Sequence, residues 1–163
     1  MRSEAGLATG DRGGFRVALE EEAVRAEAIT GPVDIIGAGV EVHLDSGQGG
    51  RVYAGQAPTD PVALLGPGQP VHPLGGTVLF RPAFRWSSSP GAMGHHVEIA
   101  EDEAFSQLLM TRNVDSEVWA PPSLLLPFRV DALWWRVSSF DADGFQGMPS
   151  APQQLVLPAG VGP

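Results

Sequence analysis

The sequence predicts an all-β protein built from two modules, and three observations indicate this class. The 163 residues include 21 glycines and 15 prolines, an excess that implies many turns and few long helices. Short apolar runs that alternate with polar residues recur between glycine turns, as in half-buried strands spaced by roughly eight to ten residues. Hydrophobic residues make up 43 % of the chain, which is enough to form a core.

The composition excludes several classes of site. The chain has no cysteine, which rules out disulfide scaffolds, thiolate zinc sites and cysteine nucleophiles. Its 10 basic residues are all arginine and stand against 19 acidic ones, for a net charge of -9. Because phosphate binding needs a clustered basic face, we expect no nucleic-acid partner. No apolar run is long enough to span a bilayer, so no transmembrane segment is predicted.

The segment FRVALEEEAVRAEAI admits two interpretations. Val24, Ala26 and Ala28 alternate with charged residues, which favours two strands joined by a turn at 20–22. The helical propensity of Glu, Ala and Leu instead favours a single helix over 17–28, which remains the alternative.

The following glycine-punctuated stretch, VDIIGAGVEVHLDSGQGGRVYAGQ, predicts a compact β element of the sandwich or roll type. Val40, Val42 and Leu44 alternate with polar residues, as in a strand whose apolar face points inward. A stretch rich in proline and glycine comes next and is typical of a linker. The predicted organisation is a disordered lead-in (1–14), a first β module (15–56), a linker (57–70), a sandwich (71–158) and a tail (159–163).

The second module has the strand density of a β-sandwich. Its strand candidates are TVLFRPAFRW, which Pro82 interrupts, then HHVEIA, QLLMTRNV, EVWA, LWWRVSSFD and QQLVL. The intervening EDEAF predicts a one-turn helix or a tight bend. Six or seven short strands in a module of this size favour two packed sheets.

Spaced motifs in this module resemble a bacterial fibronectin type III-like domain, which has an immunoglobulin-like fold. The likeness covers roughly residues 71–158. It lies in an aromatic-x-tryptophan strand, a "V-x-I-A-x-D-x-x-F" strand and bend, and a "W-R-V" strand before a glycine turn. The matching residues are Phe84 and Trp86, then Val97, Ile99, Ala100, Asp102 and Phe105, then Trp135, Arg136, Val137 and Gly144.

Residues 15–56 resemble the C-terminal portion of FecR-type periplasmic domains, through GPVDI and LDSGQGGRVYAGQ. The resemblance implies a periplasmic or cell-envelope location, a protein partner there, and a signalling or scaffolding role, with iron-responsive regulation by analogy. The first fifteen residues lack the apolar segment of a secretory signal. We therefore expect a fragment of a longer envelope protein, or a gene whose start is placed too late.

Polar clusters in the sequence predict no catalytic, metal or cofactor site. His95 and His96 are adjacent in a strand, so their side chains point to opposite faces and do not easily share an ion. The Asp141–Gly144 run has the composition of a hairpin turn, and a calcium EF-hand loop would need a glutamate where Pro152 stands. The serines at 87–89 lack the context of an activated nucleophile.

The four tryptophans carry the remaining predictions. Trp86 and Trp135 match core positions, where each buries a large apolar area. Trp134 must face the opposite side of its strand, and Trp119 stands beside a proline pair. These two are the candidate contacts for a partner or a glycan, and the alternative is that they pack under a loop or against the neighbouring domain.

The expected function is a non-catalytic cell-envelope module that presents a β-sandwich to protein partners. The alternative is a carbohydrate- or peptidoglycan-binding module that uses Trp119 and Trp134. A hydrolase, the third class, would need a polar cleft that no motif predicts.

Overall fold

The chain folds as an all-β protein, as predicted, in two compact units. The computed structural model describes residues 7–9, 14–78, 83–121 and 132–156. The first unit comprises residues 1–65 and 143–148, and the second comprises 66–142 and 149–163. All regular elements in the described ranges are strands. None of these residues belongs to a helix long and apolar enough to cross a membrane.

The described residues of the first unit form seven strands in two antiparallel sheets. They are β1 (Leu7–Thr9), β2 (Phe15–Leu19), β3 (Ala23–Ala28), β4 (Val33–Gly37), β5 (Val40–Leu44), β6 (Gln48–Tyr53) and β7 (Val62–Ala63). One sheet has the order β2-β3-β6-β7 and the other has the order β1-β4-β5. Residues from both sheets meet in one core.

The first two strands of the larger sheet form the predicted hairpin, so the single-helix alternative is wrong. Glu20 N donates to Ala23 O at 2.9 Å and closes the turn. The alternation decides between the two interpretations, because it places Val24, Ala26 and Ala28 on one buried face, each at most 2 % exposed. A helix would distribute the same residues around its axis.

Small side chains fill the core of the first unit. Its buried members are Ala8, Ala26, Ala28, Val33, Ile35, Leu44 and Val52. The two sheets approach so closely that a Cβ on Gly50 would lie 2.6 Å from Ile35 Cδ1. The predicted inward face of β5 holds for Leu44 but not for Val40, which is 46 % exposed. Val40 directly follows the tight Ala38-Gly39 turn, whose residues have φ of 49° and 80°.

In the part of the second unit that the structure describes, eight strands form two sheets. They are β8 (Gln69–His72), β9 (Thr77–Val78), β10 (Phe84–Ser87), β11 (Gly94–Ala100), β12 (Leu108–Val114), β13 (Val118–Trp119), β14 (Ala132–Phe140) and β15 (Gln153–Val156). The sheet orders are β13-β10-β8 and β12-β11-β14-β15-β9. The EDEAF segment forms a tight bend, which is one of the two conformations predicted for it.

Large aromatic side chains dominate the core of the second unit, and the core placement predicted for Trp86 and Trp135 is confirmed. Both sheets contribute, through Phe84, Trp86, Val97, Ile99, Leu133, Trp135, Val137 and Leu155. The Phe84 and Trp135 rings meet edge to face at 5.1 Å. Trp135 Nε1 donates to Pro73 O at 3.0 Å, so the buried indole keeps a hydrogen bond.

The structure differs from the predicted organisation near two boundaries. Leu7–Thr9, inside the predicted disordered lead-in, pairs with β4. The predicted linker is paired near both ends, since Val62–Ala63 joins β6 and Gln69–His72 joins β10. The units divide after Leu65. Residues 1–6 and 10–13 of the lead-in lie outside the described residues, and so do Pro82 and the predicted tail.

Candidate functional site

One face of the larger sheet in the first unit carries a cluster of charged side chains. Arg25 and Glu27 are two residues apart on β3, so they share the face opposite Val24 and Ala26. Arg16 lies across from Glu27 on β2, and Arg51 lies across from Arg25 on β6. Four charged residues therefore converge on one surface, which we call the arginine face.

The arginine face binds the main chain of residues 143–148, a segment that is distant in sequence but belongs to the same unit. Arg16 Nη2 donates to Gln146 O and to Gly147 O, both at 2.6 Å. Gln146 N donates to Glu27 Oε1 at 3.2 Å, and Arg51 Nη2 donates to Asp143 O at 2.8 Å. These hydrogen bonds all involve main-chain atoms of the segment, so they fix its backbone path.

Phe145 anchors the middle of the segment. Its side chain is buried, at 5 % exposure, and the guanidinium carbons of Arg51 and Arg25 lie 4.9 and 5.9 Å from its ring centroid. A Cβ on Gly49 would come within 2.7 Å of the ring, so only glycine leaves room for it there. The ring is held between cations and apolar walls, a favourable setting for an aromatic group.

Glu27 is the electrostatic centre of the arginine face. Its carboxylate lies 3.0 Å from Arg25 Nε and 3.7 Å from Arg16 Nε, and its side chain is only 2 % exposed. Burial raises the pKa of Glu27, while the two arginines and the Gln146 N–H act in the opposite direction. The charges compensate one another, because an unpaired carboxylate in this position would be costly.

A second polar cluster surrounds His95 in the second unit. His95 Nε2 lies 3.1 Å from Ser88 Oγ, and Nδ1 lies 3.1 Å from Ser139 Oγ. Glu117 accepts from Ser88 N at 2.9 Å. Desolvation lowers the pKa of His95, which favours a neutral ring, although Glu117 opposes this. His95 is 4 % exposed, so these contacts satisfy a buried imidazole rather than present a base to solvent.

The two predicted contact tryptophans lie in different surroundings. Trp119 on β13 stacks on Phe84, with ring centroids 5.6 Å apart, and packs against the aromatic core. Trp134 on β14 is half-buried and pairs with Ala100 and Gln154. It faces away from Trp135 and from the core. The fold therefore does not bring Trp119 and Trp134 onto one surface.

The other polar groups singled out from the sequence have local partners. His96 Nδ1 lies 2.5 Å from Asn113 Oδ1, on the face opposite His95. Asp102 accepts from Ser106 N, Ser106 Oγ and Gln107 N, and these bonds lower its pKa. In the part of the chain that the structure describes, no group of three or more histidine and carboxylate side chains is placed to hold a metal ion.

Strand β12 forms one edge of the five-stranded sheet. Thr111, Arg112 and Asn113 are exposed, and Leu108 is 50 % exposed. Two strands in from this edge, Arg136 of β14 pairs with Glu98 of β11 through contacts of 2.6 and 3.2 Å and lies 4.0 Å from the Phe105 ring centroid. The edge thus combines polar, charged and apolar side chains.

Sequence reasoning missed the arginine face, although part of its signal was present. Arg25 and Glu27 alternate with the predicted core residues, so their common face followed from the strand assignment. Their contact with residues 143–148 had no local signal, because it joins segments far apart in the chain. Neither a protein-family model nor a curated protein matches this sequence.

Proposed function

We propose that this chain is a non-catalytic interaction module of the bacterial cell envelope, FecR-like in its first part and fibronectin type III-like in its second. In this proposal the second unit presents its sheet edge β12 to an extended strand of a protein partner. The role is signalling or scaffolding, by analogy with the family that the sequence resembles.

The observation that carries this proposal is the exposed edge strand. β12 is seven residues long and pairs with β11 apart from a register shift at Leu109, and none of the described residues pairs with its other side. An edge of this kind offers unpaired N–H and C=O groups to an incoming strand. Arg112 lies on this edge strand, opposite Val97 of β11. Its charge disfavours pairing with an arbitrary strand and favours a partner protein with an acidic side chain opposite it.

The strand order of the second unit supports the fibronectin-like part of the proposal. In the described chain, β8, β10 and β13 share one sheet, while β9, β11, β12, β14 and β15 share the other. Immunoglobulin-like sandwiches divide their strands in this way. Because a fold of this kind does not by itself give a function, the role proposed here rests on the surface that the sandwich presents.

Site-specific photo-crosslinking in the source cells tests the proposal. A photoreactive residue at Leu108 should yield one crosslinked protein in the envelope fraction, and Arg112→Glu should reduce that product. The matched control is Leu19, an exposed leucine at the end of β2, which is 62 % exposed and should give no such product. Equal products from both positions, or recovery of the chain in the cytosolic fraction, would contradict the proposal.

Glycan binding is the second candidate, because Trp134 is half-buried on the outer face of β14 and its neighbour on that face, Arg136, is paired with Glu98. An aromatic ring beside polar groups is a common way to hold a sugar. Soluble peptidoglycan fragments should quench tryptophan fluorescence in the wild type and in Trp119→Phe, but not in Trp134→Ala. Quenching that persists in Trp134→Ala would exclude this candidate.

A further inference from the structure

We infer that the arginine face is a peptide-recognition site that reads the pattern glycine, phenylalanine, any residue, glycine. Residues 143–148 of the chain are its built-in occupant, and a peptide of the same pattern from another polypeptide, in the same backbone conformation, is the ligand that it fits. This site is distinct from strand β12 and extends the function beyond edge pairing.

The arginine face recognises backbone groups on consecutive residues. Arg16 donates to the successive carbonyl groups of Gln146 and Gly147, while Glu27 accepts the N–H of Gln146. Any residue at position 146 offers the same carbonyl, and any residue except proline offers the same N–H. The geometry therefore selects the backbone path of this segment and leaves the residue type at position 146 open.

The first and last positions of the pattern require glycine. Gly144 has φ of +81°, and a Cβ there would lie 3.2 Å from Arg25 Nη1. A Cβ on Gly147 would lie 2.7 Å from Leu65 O, an approach that side chains do not tolerate. Both constraints are steric, so they reject other residues more strongly than a weak attraction would.

The second position requires a flat aromatic ring. The space around Phe145 is bounded by Gly49, Leu64 and the two guanidinium groups. An aliphatic side chain loses the attraction between the ring and the cations, and alanine leaves a void beside Leu64. Together the four positions define a ligand that this surface distinguishes from a random peptide.

Binding of a labelled peptide to the full chain tests the inference. The probe is a fluorescent peptide with the sequence of residues 141–149, DADGFQGMP, followed by anisotropy. In the wild type the internal segment fills the site, which reduces the apparent affinity by the fraction of time that the site is open. Phe145→Ala removes the internal anchor, so we expect the probe to bind this variant at least about tenfold more tightly than the wild type.

Paired substitutions inside and outside the arginine face test whether the labelled peptide binds there. In the Phe145→Ala background, Arg16→Ala should abolish binding, while Arg85→Ala, an exposed arginine of β10, should leave it unchanged. A control peptide with alanine in place of phenylalanine should not bind. Should circular dichroism show that Phe145→Ala is unfolded, Gly147→Ala carries the test, because it weakens the internal segment while keeping its ring.

Two results would overturn the inference. One is the absence of probe binding to the folded variant; the other is equal binding of the control peptide. Because the probe does not involve β12, a negative result here leaves the crosslinking test of the proposed function unaffected.

Discussion

In the first unit, alanine, valine and a few larger aliphatic residues fill the core, and a carboxylate is buried among arginines on the outer face of one sheet. In the second unit, two tryptophans and a phenylalanine dominate the core, and the buried polar groups among its described residues are serines and a histidine. The first unit therefore depends on close sheet contact and charge compensation. The second depends on aromatic burial.

This difference gives the two units separate spectroscopic reporters. All four tryptophans lie in the second unit, and Tyr53, the only tyrosine in the chain, lies in the first. Tryptophan fluorescence therefore follows the second unit alone. Hydrogen exchange of peptides from residues 15–53 follows the first.

The largest expected effect is that of Trp135→Ala on the second unit. Trp135 is fully buried and contacts Phe84, so truncation removes apolar contacts and leaves a cavity. We expect a loss of about 3–5 kcal/mol in the free energy of unfolding, measured by urea denaturation followed by tryptophan fluorescence. Trp134→Ala, the adjacent residue on the outer face, should cost far less. Equal losses would show that aromatic burial does not hold this unit together.

Glu27→Ala is the substitution that we expect to destabilise the first unit in the corresponding way. It leaves Arg16 and Arg25 without their shared carboxylate, and breaking one side of a buried ion pair costs about 3 kcal/mol or more. Hydrogen exchange should accelerate in residues 15–53 while tryptophan fluorescence during unfolding stays unchanged. Glu41→Ala on the exposed side of β5 is the control, with a change within about 0.5 kcal/mol.

Gly50→Ala tests how tightly the sheets of the first unit approach. The added Cβ would meet Ile35 Cδ1 at 2.6 Å, so the isoleucine must change rotamer or the sheets must separate. The expected loss is about 1–3 kcal/mol, read from hydrogen exchange. Gly66→Ala, where a Cβ meets nothing within 4 Å, is the control, and a comparable loss there would argue against close packing as the cause.

The smallest expected effect is on the pH dependence of stability, which should have opposite signs in the two units. Burial lowers the pKa of His95 below 6.5, so the unfolded chain binds more protons, and the second unit loses stability as pH falls from 6.5 towards the folded-state pKa. Burial raises the pKa of Glu27 above 4.5. The stability that Glu27 adds to the first unit is therefore fully present below pH 4.5, and it declines as pH rises through the folded-state pKa of this group.

Variants that cannot titrate isolate these two contributions. Tryptophan fluorescence during urea unfolding, repeated from pH 7.5 to pH 5, should show a shallower pH slope for His95→Gln than for the wild type. Hydrogen exchange of residues 15–53 over the acid range should show the same for Glu27→Gln. Unchanged slopes would mean that other groups control the pH response.

Much of the local structure was predictable from the sequence, for identifiable reasons. The hairpin of β2 and β3 followed from the alternation around Val24 and Ala26, which outweighed helical propensity. The core placement of Trp86 and Trp135 followed from their match to core positions of the domain family that the second module resembles. Strand alternation then put Trp134 on the opposite face of β14, where the structure has it. The exposure of Val40 was not predicted, because it depends on how the Ala38-Gly39 turn projects the start of β5.

The sequence by itself determined the all-β class, most strand positions and the face on which each tryptophan of β14 lies, because these follow from short-range periodicity and turn residues. Only the tertiary structure decided that Arg16, Glu27 and Arg51 surround residues 143–148, and that Trp119 packs on Phe84 instead of joining Trp134. Both arrangements bring together residues from distant parts of the chain. Their selection depends on burial and charge compensation, which act through space and leave no local pattern in the sequence.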